Sequence, residues 1–381
     1  MRRVMIGVCT VVLAAGASAQ NCANSSVGLT PLNDLGVGLH LGEQGGLYPE
    51  GSNLRPPAHD LAGRMLAQNS IRPLNALGQI DLANGVVGLA SIGLSNTTQE
   101  YQAFIQATAG FENLRPQVRV IDLAQGGQPA QQVADPNDDY WTFVDNRVAQ
   151  LGLTSAQVQV VWLKTAMSAP GTMFPPGSSF PAHPDHLRGL MTAIVQNTKD
   201  HFPNCRLLYV SSRIYAGYAT SSLNPEPYAY ESGFAVKWLI EDQISGEPAL
   251  NFRPSQGEVE APWIAWGPYL WADGLSPRSD GLTWACAEFA ADGTHPGDLA
   301  RAKVGGMLLR FFSRDLTTRR WFVARPADLD DDGAVGFSDL NRVLGSFGQS
   351  AAGGEAPPGD ADLDGDVDFA DLNMVLGQYG T

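Results

Sequence analysis

The segment VVGLASIGLSNTTQEYQAFIQATA, residues 86–109, carries the pattern that decides the fold of this chain. Its first eight residues form a short apolar run typical of a buried strand, and an amphipathic helical pattern follows over residues 97–109. Further strand-like runs are VRVIDLA (118–124), VQVVWLK (158–164), RLLYVSS (206–212) and, less clearly, PWIAWG (262–267). Helical patterns occupy residues 138–151, 186–202, 230–244 and about 296–315. Strands that alternate with helices predict an α/β domain, a three-layer sandwich whose parallel sheet is covered on both faces.

Residues that could carry chemistry lie where predicted strands end, which is where open parallel sheets bind ligands. Ser95 follows the first strand, where its hydroxyl could serve as a nucleophile or only cap the next helix. Gly126 and Gly127 follow the second strand and would either present backbone N–H groups to an oxyanion or form an ordinary turn. Asp292 and His295 precede the last helix, where the carboxylate could orient the imidazole or the pair could simply begin the helix.

Taken in order, these blocks resemble the SGNH hydrolases, also called the GDSL esterase/lipase superfamily. Ile92–Thr97 matches the first block of that family, with Leu94 where the family usually has Asp, and Gly127 matches the second. Asp292 and His295 match the last block, D-x-x-H. The resemblance covers roughly residues 80–320 and implies a flavodoxin-like SGNH fold with serine esterase activity.

The resemblance also implies a role for each matched residue. Ser95 would attack the ester carbonyl, His295 would move the proton, and Asp292 would orient His295. The amides of Ser95 and Gly127 would hold the oxyanion, with Gly126 as the fallback for Gly127. The third block should supply an Asn, but the third strand ends in Lys164, which could donate to the oxyanion, bind a substrate carboxylate or be structural.

Two stretches rich in aromatic residues precede the Asp–His block. From them, Trp266, Trp271 and Tyr215 are candidate substrate-binding residues, because flat rings stack on the faces of sugars. The other interpretation is that these rings only pack the loops onto the domain.

Residues 327–381 contain an internal repeat. DLDDDGAVGFSDLNRVLGSFG from Asp328 and DADLDGDVDFADLNMVLGQYG from Asp360 are identical at 13 of 21 positions. Each repeat has acidic residues at positions 1, 3, 5 and 12 of a calcium-loop register, with Gly at position 6. The candidate metal ligands are Asp328, Asp330, Asp332, Asp339, Asp360, Asp362, Asp364 and Asp371. A solvated acidic tail is the alternative, but acidity alone would not repeat the Gly and Phe positions in register.

Position 12 is Asp rather than the Glu of sensor EF-hands, and with the paired short repeats the segment resembles a dockerin domain. That resemblance implies a small all-α domain with two structural Ca²⁺ ions. It also implies docking onto a cohesin-like or cell-surface partner. The segment SAAGGEAPPG, residues 350–359, separates the two repeats.

The N-terminal segment MRRVMIGVCTVVLAAGASA has the charged start, short apolar run and A-x-A end of a secretory signal peptide. We therefore divide the chain into a signal peptide (1–19), an SGNH-like domain (20–326) and a dockerin-like domain (327–381). Export would allow a disulfide, but the sequence does not decide how Cys22, Cys205 and Cys286 pair, and Cys205 with Cys286 is one guess.

The 381 residues carry a formal charge of −15, and the last 55 of them contribute −11. This acidity argues against nucleic acid as a partner, and no apolar run is long enough to suggest a membrane span. The expected function is a secreted or surface-bound serine esterase that removes acyl groups, most plausibly acetyl, from a carbohydrate. The alternative is a carbohydrate-binding protein on a degenerate SGNH fold that no longer cleaves.

Overall fold

The computed structural model describes residues 20–351 and 354–381. The predicted signal peptide, residues 1–19, lies outside the described residues. Within them, no helix combines the length and the apolar composition that crossing a bilayer requires.

A five-stranded parallel sheet forms the centre of the body. A two-stranded antiparallel ribbon, β1 (Leu39–His40) and β2 (Glu43–Gln44), precedes it in the chain. The strands of the main sheet are β3 (Val87–Gly93), β4 (Val118–Asp122), β5 (Val158–Lys164), β6 (Leu207–Val210) and β7 (Trp263–Trp266). Their spatial order is β4-β3-β5-β6-β7, and every neighbouring pair is parallel.

The helices are α1 (Leu32–Leu35), α2 (Pro57–Asn69), α3 (Ser95–Ala109), α4 (Ala130–Val133), α5 (Asp139–Gln150), α6 (Ala182–His201), α7 (Tyr228–Ser245), α8 (Asp298–Arg314), α9 (Arg319–Phe322), α10 (Phe337–Ser346) and α11 (Phe369–Gly377). In one group of helices, α3 packs on α8, α8 contacts α9, and α9 contacts α2. In the other group, α4 contacts both α5 and α6, and α6 packs on α7. The sheet is flanked by these helices, so the predicted α/β architecture is confirmed.

Continuous apolar strands form here because the sheet is buried on both of its faces. All seven residues of β3 and of β5 are buried, which leaves no exposed face that would require alternating polar residues. The ring of Trp162 on β5 stacks on Tyr101 of α3, with centroids 5.7 Å apart. This packing holds α3 against the sheet, and Thr97, near the start of α3, donates to the carbonyl of Lys164 at the end of β5, where the candidate site lies.

The guessed pairing of Cys205 with Cys286 is wrong. Cys22 forms a disulfide with Cys286, and Cys205 is a free, buried thiol. Cys205 lies next to β6, inside the core, whereas Cys286 is in the loop before α8 and meets the N-terminal segment. The disulfide therefore ties residue 22 to the loop that carries Asp292 and His295.

The C-terminal repeats form a small lobe with its own apolar cluster, which is separate from the core of the body. The cluster contains Ala327, Leu329, Val335, Val343, Ala361, Val367 and Val375. Helices α10 and α11 pack against each other within this lobe. Corresponding valines of the two repeats share the cluster, as the 32-residue repeat predicts.

Side chains of the body bind both repeat loops. Arg320 donates to the carbonyl of Asp362 at 2.7 Å, and Arg64 donates to that of Asp364 at 2.8 Å. Asn113 donates to the Asp331 carboxylate at 2.9 Å. The lobe is thus held against the body by hydrogen bonds from cationic and amide side chains, an arrangement that the sequence did not predict.

Candidate active site

Ser95 is the first residue of α3 and follows β3 after a sharp turn. The turn depends on Gly93, which has φ 146° and whose missing Cβ would lie 2.0 Å from the carbonyl oxygen of Lys164. Only glycine fits this close approach of two backbones. The amide of Ser95 belongs to the first turn of α3, where N–H groups have no intrahelical partner and the helix dipole is positive.

The structure brings Ser95, His295 and Asp292 together in a hydrogen-bonded chain. The Oγ of Ser95 lies 2.9 Å from Nε2 of His295, and Nδ1 of His295 lies 2.6 Å from Oδ2 of Asp292. The other carboxylate oxygen, Oδ1, accepts from the amides of Thr294 and His295 at 3.0 Å each. Asn96 donates to the carbonyl of Thr294 at 3.0 Å and so joins α3 to this loop.

The carboxylate of Asp292 is suited to stay ionised beside the imidazole. Burial raises its pKa, but the hydrogen bonds from the amide and ring of His295 and from the amide of Thr294 outweigh burial, so the pKa lies below its ordinary value. An ionised Asp292 holds a proton on Nδ1 of His295, which leaves Nε2 free to accept the proton of Ser95. The geometry is that of a nucleophile activated by an oriented base.

A cleft opens beside these hydrogen-bonded residues and is lined by Ser95 and His295. Gly127 also lines it with φ 81°, a conformation that favours glycine, and its position is compatible with the predicted oxyanion role. The neighbouring Gly126 lies behind Ser95, since a Cβ built on it would be 3.8 Å from Cβ of Ser95. Gly126 is not among the residues that line the cleft.

The predicted oxyanion role of Lys164 is wrong. Its ammonium is fully buried and forms an ion pair with the carboxylate of Glu100, which is also fully buried. Lys164 does not line the cleft. Alternation along β5 explains the error: the last residue of this strand turns its side chain into the layer between the sheet and α3, where Glu100 lies.

Sequence reasoning missed several polar residues that line the cleft, among them Arg213 and Asn224. Arg213 follows β6, so the rule that selected Ser95 would also have selected it. Asn224 lies in the loop before α7, and its amide donates to the carbonyl of Met167 at 3.3 Å. No pattern in the surrounding sequence marks Asn224 as part of a site.

The predicted aromatic sugar-binding surface is also wrong. Trp271 and Tyr215 are fully buried and Trp266 is 3% exposed. Each polar atom is used internally: Trp271 Nε1 donates to Glu226, Trp266 Nε1 to the carbonyl of Leu47, and the Tyr215 hydroxyl to that of Asn24. These rings pack the loops around β7 onto the domain, which was the other interpretation of the pattern.

In each repeat loop, three of the four candidate metal ligands converge. Ligand oxygens of Asp328, Asp330 and Asp339 lie within 4.8 Å of one another, and those of Asp360, Asp362 and Asp371 do the same. Asp332 and Asp364 are not in these groups; each accepts the amide two residues further on, Ala334 and Asp366. Gly333 and Gly365, at φ 92° and 99°, make the sharp turn that the register predicts.

The carboxylates of the second loop crowd together in a way that a cation would relieve. Burial, together with repulsion from Asp371 and Asp364, raises the pKa of Asp360 to about 7. Burial and the charges of the same two neighbours raise the pKa of Asp362 to about 6. Hard oxygen ligands of this kind fit Ca²⁺, so the residues present suit the predicted ion, although calcium binding itself stays a prediction.

Comparison with known proteins gives no family assignment. No family model matches the chain, and no curated protein matches it. A Bacteroides fragilis structure assigned as an acylhydrolase matches at a TM-score of 0.34 and 11% identity, over 67% of this chain and 96% of that one.

Two further solved structures match at similar levels. A gut microbial enzyme that metabolises diltiazem matches at a TM-score of 0.34 and 13% identity, over 63% of this chain and 48% of that one. A salicylyl-acyltransferase of a tetracycline biosynthetic pathway matches at a TM-score of 0.30 and 12% identity. The match covers 62% of this chain and 56% of that one. TM-scores this low do not support a conclusion about the activity of this chain.

Proposed function

We propose that this protein is an exported serine esterase that hydrolyses acyl esters, with Ser95 as the nucleophile. The observation that carries the proposal is the unbroken chain from Ser95 Oγ through His295 to Asp292, at the floor of an open cleft. A serine hydroxyl is a weak nucleophile until a positioned base takes its proton, and this chain places that base at 2.9 Å.

The reaction would run in two balanced steps. Ser95 Oγ attacks the ester carbonyl as its proton passes to Nε2 of His295, and His295 then returns the proton to the departing alcohol. A water attacks the acyl-enzyme with His295 again taking the proton, and the acid leaves as Ser95 regains its hydrogen. The carbonyl oxygen becomes negative in each tetrahedral intermediate, and the amides of Ser95 and Gly127 are the donors we assign to it.

The substrate we propose is an acetylated carbohydrate outside the cell. The predicted leader and the dockerin-like repeats are the support for this choice, because both suit an enzyme exported to an extracellular polymer. The alternative of a non-catalytic sugar-binding protein relied on aromatic rings that the structure buries, and the missing third-block Asn is the feature that still favours it.

Serine chemistry is tested by Ser95→Ala, assayed on short p-nitrophenyl esters, acetylated xylan and pectin, and by labelling with a serine-directed phosphonate. We expect hydrolysis to fall to background, a loss of about 10⁶-fold by analogy with other serine hydrolases, and labelling to disappear. Ser91→Ala is the control, because Ser91 is buried on β3 and its hydroxyl bonds Asp122 at 2.6 Å. Labelling that persists in Ser95→Ala would contradict the proposal.

We also propose that the repeats bind two structural Ca²⁺ ions, through the carboxylates that converge in each loop, and attach the enzyme to a cohesin-like or cell-surface partner. Calcium would neutralise the crowded carboxylates and fix the second loop against Arg320 and Arg64. Calorimetric titration of the chelator-treated full chain should give two ions per chain, and Asp371→Ala should give one. Absence of calcium binding in the unmodified chain would end this part of the proposal.

A further inference from the structure

Arg213 lies in the wall of the cleft that holds Ser95 and His295. It follows β6 by three residues and is 1% exposed, yet it lines the cleft. Its backbone is hydrogen-bonded on both sides: its amide donates to Ser232 Oγ at 3.0 Å, and its carbonyl accepts from Ser212 Oγ at 3.2 Å. These two contacts position the backbone of Arg213 beside the cleft.

The guanidinium has donors that nothing in the described part of the chain uses. Nε and Nη1 of Arg213 are both buried without a hydrogen-bond partner among residues 20–351 and 354–381. Buried polar groups are nearly always paired, and a buried cation without a partner is much more costly than a neutral group. Two unpaired N–H groups on one side chain at the edge of a cleft call for a ligand.

The nearby carboxylates make their direct contacts with other groups. Glu100 pairs with Lys164 through Oε2, while its Oε1 has no hydrogen-bond partner within the described residues, and Asp292 binds His295. Glu226 accepts from the ring of Trp271 and from two backbone amides. These three carboxylates raise the pKa of Arg213 through space, but burial is the larger effect and lowers it. None of them pairs directly with the guanidinium among the ion pairs of the described residues.

We propose that Arg213 is a specificity residue that binds a carboxylate carried by the ester substrate. The inference rests on the proposed esterase function and names its substrate class: acidic esters. Arginine binds a carboxylate through two parallel N–H donors, and a water-excluded position strengthens that contact. The rest of the cleft near Arg213 includes the apolar side chains Met167 and Leu223, which can contact the carbon chain between the carboxylate and the ester.

The carboxylate could lie on either side of the scissile bond, as in the ester of an acidic sugar or in the half-ester of a dicarboxylic acid. Two matched pairs of probes separate these sources. In 4-acetoxybenzoate and 4-acetoxybenzamide the charge is on the alcohol side. In monoethyl succinate and ethyl succinamate it is on the acyl side. Within each pair the amide keeps the shape of the carboxylate and removes its charge.

Binding is measured first, without hydrolysis, in the Ser95→Ala protein. Calorimetry should show that the carboxylate of at least one pair binds about 10- to 100-fold more tightly than its amide, the range expected for hydrogen bonds to a charged group. Adding Arg213→Met should abolish this preference, and Arg213→Lys should recover part of it. Equal binding of carboxylate and amide in both pairs would overturn the proposal, even if the esterase is active.

Kinetics then test the same residue in the active enzyme. Arg213→Met should lower kcat/KM for the preferred carboxylate by about 10- to 100-fold and leave the matched amide almost unchanged. Arg188→Met is the control for net charge, since Arg188 is a partly exposed side chain of α6 that pairs with Asp185. An equal loss on charged and neutral esters would assign Arg213 to the reacting carbonyl and overturn the inference. If charge-dependent binding persists while no ester is hydrolysed, the esterase proposal fails and the carboxylate site stands.

Discussion

Removing the ion pair of Lys164 with Glu100 tests directly whether Lys164 has a structural role beneath the site. Both side chains are fully buried, and the pair lies between β5 and α3, directly under the turn that presents Ser95. Lys164→Met keeps an unbranched side chain of similar length and removes the ammonium. It leaves the carboxylate of Glu100 buried with no cation in contact.

Removing one partner of a buried ion pair lowers the free energy of unfolding by about 3–5 kcal/mol, because the remaining charge has neither solvent nor a partner. Arg213 is close enough to interact with Glu100 through space, so we expect the lower end, about 3 kcal/mol. The double variant Lys164→Met/Glu100→Gln carries no charge at this position and should recover most of the loss. The single variant Glu100→Gln should lose less free energy of unfolding at pH 9 than at pH 6. Burial brings the pKa of Lys164 to about 8 even with Glu100 present, so the lysine can shed its proton once the carboxylate is gone.

Urea denaturation followed by tryptophan fluorescence measures each free energy, with calcium present throughout so that the repeats stay in one state. Esterase assays well below the unfolding midpoint should give the same kcat for Lys164→Met as for the unmodified protein. A kcat that falls about 100-fold while the midpoint is unchanged would refute this reasoning and return Lys164 to the oxyanion hole.

Two further predictions concern Glu226 and the contact between body and repeats. Burial raises the pKa of Glu226 from 4.5 to about 7, so between these values the folded protein holds a proton that the unfolded chain has released. Stability should therefore fall as pH rises through this window, by about 3 kcal/mol, and urea midpoints at pH 5 and pH 8 should show a smaller fall in Glu226→Gln. Arg320→Ala removes the hydrogen bond to the Asp362 carbonyl, and hydrogen exchange of α11 should speed up as if about 1–2 kcal/mol of local stability were lost. Unchanged exchange would show that this contact does not hold the second loop.

The sequence was sufficient to predict an element or a site where the local pattern and the topology of the fold require the same residue types at the same place. The strand before Ser95 is apolar because both faces of the sheet are covered, and the rule that parallel strands end at one edge brought Ser95 and His295 into one site. The 200 residues between them in the chain did not obscure this, because the rule depends on strand direction rather than on distance along the chain.

The sequence was insufficient where a side chain has two directions open to it. Lys164 ends a strand, as a ligand-binding residue often does, but strand alternation turns it toward Glu100 and away from the cleft. Trp271 illustrates the same ambiguity for loops, because composition cannot distinguish a ring that faces solvent from one whose Nε1 donates to a buried Glu226. The pairing of Cys22 with Cys286 joins residues 264 positions apart, and only the packed fold brings them within reach.

The charges beneath the site can be considered as one set. Lys164 and Glu100 form a pair that is neutral as a whole, and the carboxylate of Asp292 contacts the ring of His295 rather than the guanidinium of Arg213. Arg213 is then the charge beside the cleft that no direct contact balances within the described residues. A negative group arriving with the substrate would balance it, and the tetrahedral intermediate would add a second negative charge at the carbonyl oxygen. An acidic ester is thus favoured when it binds, whereas the amides of Ser95 and Gly127 act when the oxyanion forms, so the two contributions should separate as effects on KM and on kcat.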